Sequence, residues 1–271
     1  ARMGAILAPE HRPRARRSER RLEQRTRVGR CTRRARAVTR LALVGVALVL
    51  LLGGATACQP PPPPPVLLVG GTFGPVSYMD AARSALAAKG YNVQAMQLSG
   101  NPAGTADITT SAAAVCAKVD AMRTETGAAT IDVVAHSQGA LAVRYCIKSL
   151  GGAAKVHTMV SLGGVNYGSS RAQICQSAAC VQMRPGSAFL TTLNEGDDTP
   201  GSVRYVHVFS YEANGGTPGE DITLKDGATN VAAQDVCPGA QVVHLSEYDD
   251  AIMRQLIDHA LKSSPLTATC P

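Results

Sequence analysis

From residue 65 onward, short apolar runs alternate with stretches of helical spacing. The run "PVLLVGG" (residues 65–71) is apolar at successive positions and ends in glycines. It predicts a short strand buried on both faces. "VSYMDAARSALAAKGY" follows with helical periodicity from about Ser77, and Gly90 stands just past its end. The alternation then repeats. "NVQAMQL" predicts a second strand. Residues 109–126 set Ala112, Cys116, Val119 and Met122 at helical intervals and stop at Gly127. "ATIDVVA" predicts a third strand and residues 139–150 a helix. "KVHTMVSLGG", "GSAFLTTLN" and "VRYVHVFS" predict strand, short helix and strand. "NVAAQDV" and "QVVH" read as a last strand region, and Tyr248 to Leu261 as a closing helix. Such alternation with short connections implies a mostly parallel sheet with helices on both faces, an α/β architecture. Ligands of these sheets lie at the carboxyl ends of the strands. The residues that carry chemistry are therefore expected just after strands.

The first 58 residues follow a different pattern. Residues 1–40 hold 14 Arg and 3 Glu, a net of +11. The whole chain is +7, so residues 41–271 carry 7 − 11 = −4. The basic character belongs to the N-terminal segment, and no nucleic-acid partner is expected, because a binding face would have to sit on the domain itself. Leu41 to Leu52 is uncharged and apolar, with small residues after it. A basic stretch, a short apolar stretch and small residues make an export signal, and twelve apolar residues are short for a membrane span. "ATAC" ends at Cys58 and resembles a bacterial lipobox, which implies a lipid anchor on Cys58; the alternative is simple cleavage near Ala57. Residues 59–65 are a Pro-rich spacer of polyproline II type. Residues 66–271 are then one catalytic domain, expected to be a monomer. Six Cys fall in it, an even number that favours disulfides in an exported chain, among fifteen possible pairings. None has zinc-ligand spacing to a neighbouring His, and neither a metal nor a cofactor is expected. The chain has no Trp and three Phe, which argues against a carbohydrate-binding module built on stacked aromatics.

"IDVVAHSQGA" (residues 131–140) drives a strand into a serine and follows it with a glycine. Strand–Ser–helix with small residues two before (Ala135) and two after (Gly139) is the pattern of a nucleophile elbow, with Ser137 as nucleophile. Small residues are required because the backbone turns too tightly for side chains beside it. His136 reads as a packing or polar neighbour rather than a base, its side chain pointing away from Ser137 Oγ. The loop "GGTFGPVSY" (residues 70–78) follows the first strand, and in hydrolases of this design such a loop gives one oxyanion donor while the residue after the nucleophile gives the other. Those donors are the backbone N–H groups of Thr72 and Gln138, with the Thr72 hydroxyl as a candidate third. A Gly-rich phosphate loop is the alternative, and the absence of both G-x-G-x-x-G and a GK[ST] ending argues against it. His244 lies after the last apolar run and before the last helix, where the base belongs in the order Ser…acid…His. The acid is expected just after "VHVFS". Glu212 stands closest to that strand end, and Asp221 is the alternative.

Taken together these stretches resemble bacterial class 2 lipases of the α/β-hydrolase superfamily. The elbow "AHSQG", the helix and strand of "YCIKSLGGAAKVHTMVSLGG", the segment "GSAFLTTLNEGDDTPGSVRYVHVFS" and the closing "DGATNVAAQDVCPG" carry the resemblance, from Val66 to about Leu261. "GT" followed by "GPVSY", together with "SQG", is similar to the oxyanion loop and elbow of the Candida antarctica lipase B group. That likeness implies that Thr72 donates through both its N–H and its hydroxyl, and suggests a Cys237–Cys270 disulfide. Cys175–Cys180 closing a small loop and Cys116–Cys146 joining two helices complete one pairing. The resemblance implies an α/β-hydrolase fold with little or no lid, residues 164–187 being the longest candidate. It also implies an esterase or lipase acting through an acyl-enzyme on short to medium acyl esters and on polyesters. Two departures stand out. The family expects Asp three residues after the strand's Ser, where this chain has Ala213. "GGVNYGSS" replaces a stretch that shapes the family's acyl pocket. A homologue that binds or transfers acyl groups without hydrolysis is the alternative that the missing Asp raises.

Overall fold

The computed structural model describes residues 62–211 and 222–271. The expected export segment with Cys58, the start of the Pro-rich spacer, and both candidate acids, Glu212 and Asp221, lie outside the described residues. Six strands form one sheet in the order β2-β1-β3-β4-β5-β6. They are β1 (Val66–Val69), β2 (Val93–Met96), β3 (Ile131–His136), β4 (Val156–Leu162), β5 (Arg204–Phe209) and β6 (Thr229–Ala232). Every neighbouring pair is parallel. The helices between them are α1 (Asp80–Ala87), α2 (Ile108–Thr126), α3 (Gln138–Ser149), α4 (Ala178–Met183), α5 (Ala188–Asn194), α6 (Ala233–Val236) and α7 (Ala251–Leu261).

The continuous apolar runs of β1 and β3 are buried at every residue, as central parallel strands must be. Their side chains alternate between two cores. Leu67, Val69, Val133 and Ala135 pack with α2 and α3 on one face. Val66, Leu68, Val134 and Val160 pack with α1 and α7 on the other. This is the α/β-hydrolase architecture: an open, parallel sheet clothed on both sides. The Asp107 side chain caps the start of α2 by accepting from Thr109 N–H, and Gly127 ends it in the left-handed conformation that glycine adopts at little cost.

Two expected elements differ. "QVVH" is not a strand. After β6 the chain makes the short helix α6, and Pro238 and Gly239 (φ 83°) then turn it away from the sheet. Pro cannot donate to a ladder, and the left-handed glycine breaks the extended run. Residues 241–243 are irregular and lead into a 3₁₀ turn at His244–Ser246. The closing helix begins at Ala251 rather than Tyr248, because the Asp250 side chain caps it by accepting from Ile252 and Met253 N–H. Tyr248 is buried before that cap. Its hydroxyl donates to the carbonyls of Val69 and Val134, fastening the segment after His244 to β1 and β3. Residues 164–187 hold a 3₁₀ turn (Ser170–Ile174) and α4, neither of which was expected. Three disulfides are formed: Cys116–Cys146, Cys175–Cys180 and Cys237–Cys270. The first ties α2 to α3 and the last pins the C-terminal segment beside α6. Among the described residues no helix is long and apolar enough to cross a membrane.

One buried group makes the fold acid-sensitive. His207 on β5 is fully buried, contacts Ser161 Oγ and Asn166 Nδ2 through Nδ1, and leaves Nε2 without a partner. Desolvation is the largest influence on it and pushes its pKa down from 6.5 to about 4. The unfolded chain takes up this proton near pH 6.5, whereas the folded chain resists it until about pH 4. Stability is therefore full above pH 6.5 and falls as pH drops through that window, by about 3 kcal/mol from this group. Urea midpoints measured from pH 7 to pH 4.5 should decline accordingly, and less steeply in His207→Gln.

Candidate active site

The elbow forms where the sequence places it. β3 ends at His136, Ser137 takes φ 54° and ψ −124°, and α3 begins at Gln138. A non-glycine residue in that region is strained, and such strain persists where the surroundings over-determine it. Ser137 N–H donates to Leu162 O at 3.0 Å, and Ala140 N–H donates to Ser137 O. Gly139 is required: a Cβ there would lie 2.5 Å from the Gly70 carbonyl. Ala135 is fully buried. The turn presents Ser137 Oγ above the sheet, where His244 Nε2 lies 2.8 Å away.

Thr72 sits on the loop after β1, opposite the N-terminus of α3. Its neighbours in that loop are committed elsewhere, since Phe73 N–H donates to Ala103 O and Gly74 N–H to Gly71 O. Gln138 N–H is among the first amides of α3, which have no carbonyl partner within their own helix. The Thr72 hydroxyl donates to Gln138 Oε1 at 2.6 Å. It joins the loop after β1 to the start of α3, and with its proton so placed it is not free to act as the third donor that the sequence suggested.

The carboxylate beside His244 is Glu247, which sequence reasoning passed over. It is fully buried, and its Oε2 lies 3.2 Å from His244 Nδ1 and 3.0 Å from His136 Nε2. Both approaches lie off the straight hydrogen-bond line, as resting sites often show. Burial alone would raise the Glu247 carboxyl, but His136 and His244 outweigh it and hold it below the ordinary glutamate value. Gly163, at φ 50° just after β4, makes room for it: a Cβ there would overlap the carboxylate. Ser210, at the strand end where the acid was sought, instead accepts from Gln234 Nε2. A carboxylate three residues after the base is a spacing that brings side chains together on one helical turn, and that was the available signal.

His136 is buried on the far side of the base. Its Nε2 is 3.0 Å from His244 O and 3.5 Å from Tyr78 Oη, and its ring centroid is 4.5 Å from that of His244. In front of Ser137 opens a largely apolar cavity of about 230 Å³, walled by Val165, Ala172, Cys180, Met183 and Leu245 among others. Phe73, Ile174 and Leu245 stand exposed at its edge, Ile174 being 89% accessible.

Among the described residues two groups have ligand atoms close enough for a cation. One is His136, His244 and Glu247, the groups that already face one another behind Ser137. The other is Asp197, Asp198 and Asp226. There the Asp198 carboxylate accepts from Lys225 N–H, Asp226 N–H and the Tyr167 hydroxyl, so its oxygens are occupied in holding the loop.

Comparison with known proteins places this geometry. The profile of a family described as palmitoyl protein thioesterase matches residues 65–206, more than half of the chain. Among solved structures, Aspergillus fumigatus lipase B superposes with a TM-score of 0.64 at 18% identity, covering 74% of this chain and 52% of its own. Bacillus licheniformis lipase BlEst2 in its propeptide form gives 0.57 at 18% identity, covering 69% of this chain and 47% of its own. The lin2722 product of Listeria innocua gives 0.51 at 12% identity, covering 77% and 97%. The chain thus spans about half the length of the first two structures. At these identities the likeness is one of fold. No curated protein matches the sequence.

Proposed function

The chain belongs to the palmitoyl protein thioesterase family, and from that premise we propose that it is a serine ester hydrolase working through an acyl-enzyme, with Ser137, His244 and Glu247 as its triad. One observation carries the reading: Ser137 Oγ and Glu247 Oε2 flank the two nitrogens of one imidazole, at 2.8 and 3.2 Å. With its proton on Nδ1 facing the carboxylate, His244 accepts the Ser137 proton at Nε2 as Oγ attacks the acyl carbonyl. Glu247 stabilises the imidazolium that results. The amides of Thr72 and Gln138 receive the negative charge on the former carbonyl oxygen, and removing one such donor costs roughly 10²–10³ in rate. His244 then returns its proton to the leaving alcohol or thiol. Water, activated by the same imidazole, releases the acid and regenerates Ser137.

The expectation of Glu212, or Asp221, as the acid gives way in this proposal to Glu247, which already occupies the place beside Nδ1. That also removes the reason to prefer a homologue that binds without turnover. The apolar cavity suits a short to medium acyl chain, and its accessible edge suits extended substrates such as polyesters. The finer likeness to bacterial class 2 lipases belongs to this reading, as do the lipase-type substrate and a monomeric state. An exported location, free or anchored through Cys58, agrees with three disulfides, which persist in oxidising compartments.

The reading predicts that a fluorophosphonate probe adds one phosphonyl group to the full chain, on the peptide containing Ser137. Hydrolysis of p-nitrophenyl esters should be best at butyrate to octanoate and weak at palmitate. Labelling at another residue, or none in folded protein, would refute the nucleophile assignment. A strong preference for palmitoyl thioesters over short oxygen esters would move the substrate toward that of the family's name.

A further inference from the structure

We propose that His136 is a positioning residue that holds the base and its carboxylate in register through one shared N–H; the inference rests on the triad reading above. The ring is buried, yet three oxygens converge on Nε2: His244 O at 3.0 Å, Glu247 Oε2 at 3.0 Å and Tyr78 Oη at 3.5 Å. Nδ1 has no partner and faces Gly71, where a Cβ would stand 2.9 Å from it. A proton on Nδ1 would be a buried, unpaired donor, and the lone pair of Nε2 would then face carbonyl and carboxylate oxygens. The neutral ring therefore carries its proton on Nε2. From there it donates to the His244 carbonyl and lies against the Glu247 carboxylate.

This contact is unusual in what it joins. His244 and Glu247 occupy the same turn, and His136 grips that turn at the backbone of the first and the side chain of the second. The Tyr78 hydroxyl donates to the same His244 carbonyl at 3.3 Å. His136 also belongs to the last position of β3, next to Ser137. One residue thus links the rigid strand that presents the nucleophile to the turn that presents the base. A packing residue would need neither the polar atom nor the alignment of three oxygens on it.

The ionisable groups around this point are few. Glu247 faces His136, His244, Tyr78 and Tyr248, with His207 acting on it at longer range. His136 faces Tyr78, Tyr248, His244 and Glu247. Burial is the main influence on His136 and lowers its pKa, keeping it neutral, so it acts as a dipolar donor rather than a second cation. Asp249 acts on Tyr78 from the rim. The tyrosines are held protonated by burial, and Glu247, kept below the ordinary glutamate value by the two histidines, is the group on which the His136 donor bears.

Removal of the donor leaves a buried carboxylate less well stabilised. Glu247 then takes up a proton more readily, so the acid limb of the rate profile moves to higher pH. The test compares His136→Phe, which keeps a flat ring, with His136→Gln, whose amide nitrogen reaches the place of Nε2. Both are made in the full chain and assayed with p-nitrophenyl butyrate from pH 5 to 9. His136→Phe should lose roughly ten- to a hundredfold in kcat with KM little changed. Its acid limb should rise by about one pH unit. His136→Gln should recover most of the rate and return the limb toward the wild-type position. The Nδ1 proton of His244 in the NMR spectrum should shift upfield in His136→Phe alone. If His136→Phe does not fold, the limb and the Nδ1 resonance of His136→Gln against His136→Leu give the same comparison. Equal losses in Phe and Gln variants with an unmoved limb would overturn the proposal and leave His136 a packing residue. Ser137→Ala run beside them separates the readings: if it keeps turnover, the triad itself fails, whatever His136 does.

Discussion

Ser137→Ala should abolish hydrolysis of p-nitrophenyl butyrate, lowering kcat by roughly 10⁴–10⁶-fold while thermal midpoint and circular dichroism stay near wild type. The size follows from the role. Without Oγ there is no acyl-enzyme, and the oxyanion amides and substrate binding alone retain only a residual advantage over water. The fold should be spared because the elbow is held by its backbone. Ser137 N–H donates to Leu162 O, and Gly139 admits the close approach of Gly70 O. Alanine meets the same strain as serine at φ 54°. A variant that folds and keeps even a tenth of the activity would show that the elbow holds a serine without using it.

The second large effect is expected at Glu247. Glu247→Gln conserves volume in a fully buried site but presents an amide to His244 Nδ1. An N–H facing Nδ1 favours the tautomer with its proton on Nε2, which cannot accept from Ser137. The expected loss in kcat is roughly 10³–10⁴-fold, with KM within about a factor of three. Glu212→Ala and Asp221→Ala should each stay within about twofold of wild type, because neither is required beside Nδ1 in this arrangement. The reverse pattern, with Glu212→Ala crippled and Glu247→Gln active, would return the acid to the loop after β5. Gly163→Ala should imitate part of the Glu247 defect, since its methyl would occupy the space of the carboxylate.

Much of this site was legible because the elbow is a local device. Apolar strand, small residue, Ser, one residue and Gly make a turn that needs no distant partner to be recognised. The same holds for the loop at Thr72, which follows a strand and is rich in glycine. His244 was legible by order along the chain. The proposed acid was not, because the rule used to seek it depends on chain order, whereas Glu247 lies three residues after His244. The strand expected at "QVVH" failed for a related reason. Its apolar residues suggest a sheet, but Pro238 and Gly239 aim the chain elsewhere, and Val242 is buried against the helices instead. The 3₁₀ turn and helix within residues 164–187 were missed because they are too short for periodicity to register. The buried face of Tyr248, which anchors the catalytic turn through two strand carbonyls, has no signature in composition at all.

His244 and Glu247 share one turn, three residues apart. In the proposed triad, base and acid therefore travel as a single body, and any displacement of that segment carries both together without changing the distance between them. What must be kept constant is one interval only, that between the turn and Ser137, and Tyr248 and His136 are the two pins that set it. In that triad the segment between β5 and β6 supplies no catalytic group. Changes of length there would leave the proposed proton relay untouched, while the cavity in front of Ser137 is walled chiefly by residues between 165 and 183, so the relay and the fit of the acyl group depend on separate parts of the chain.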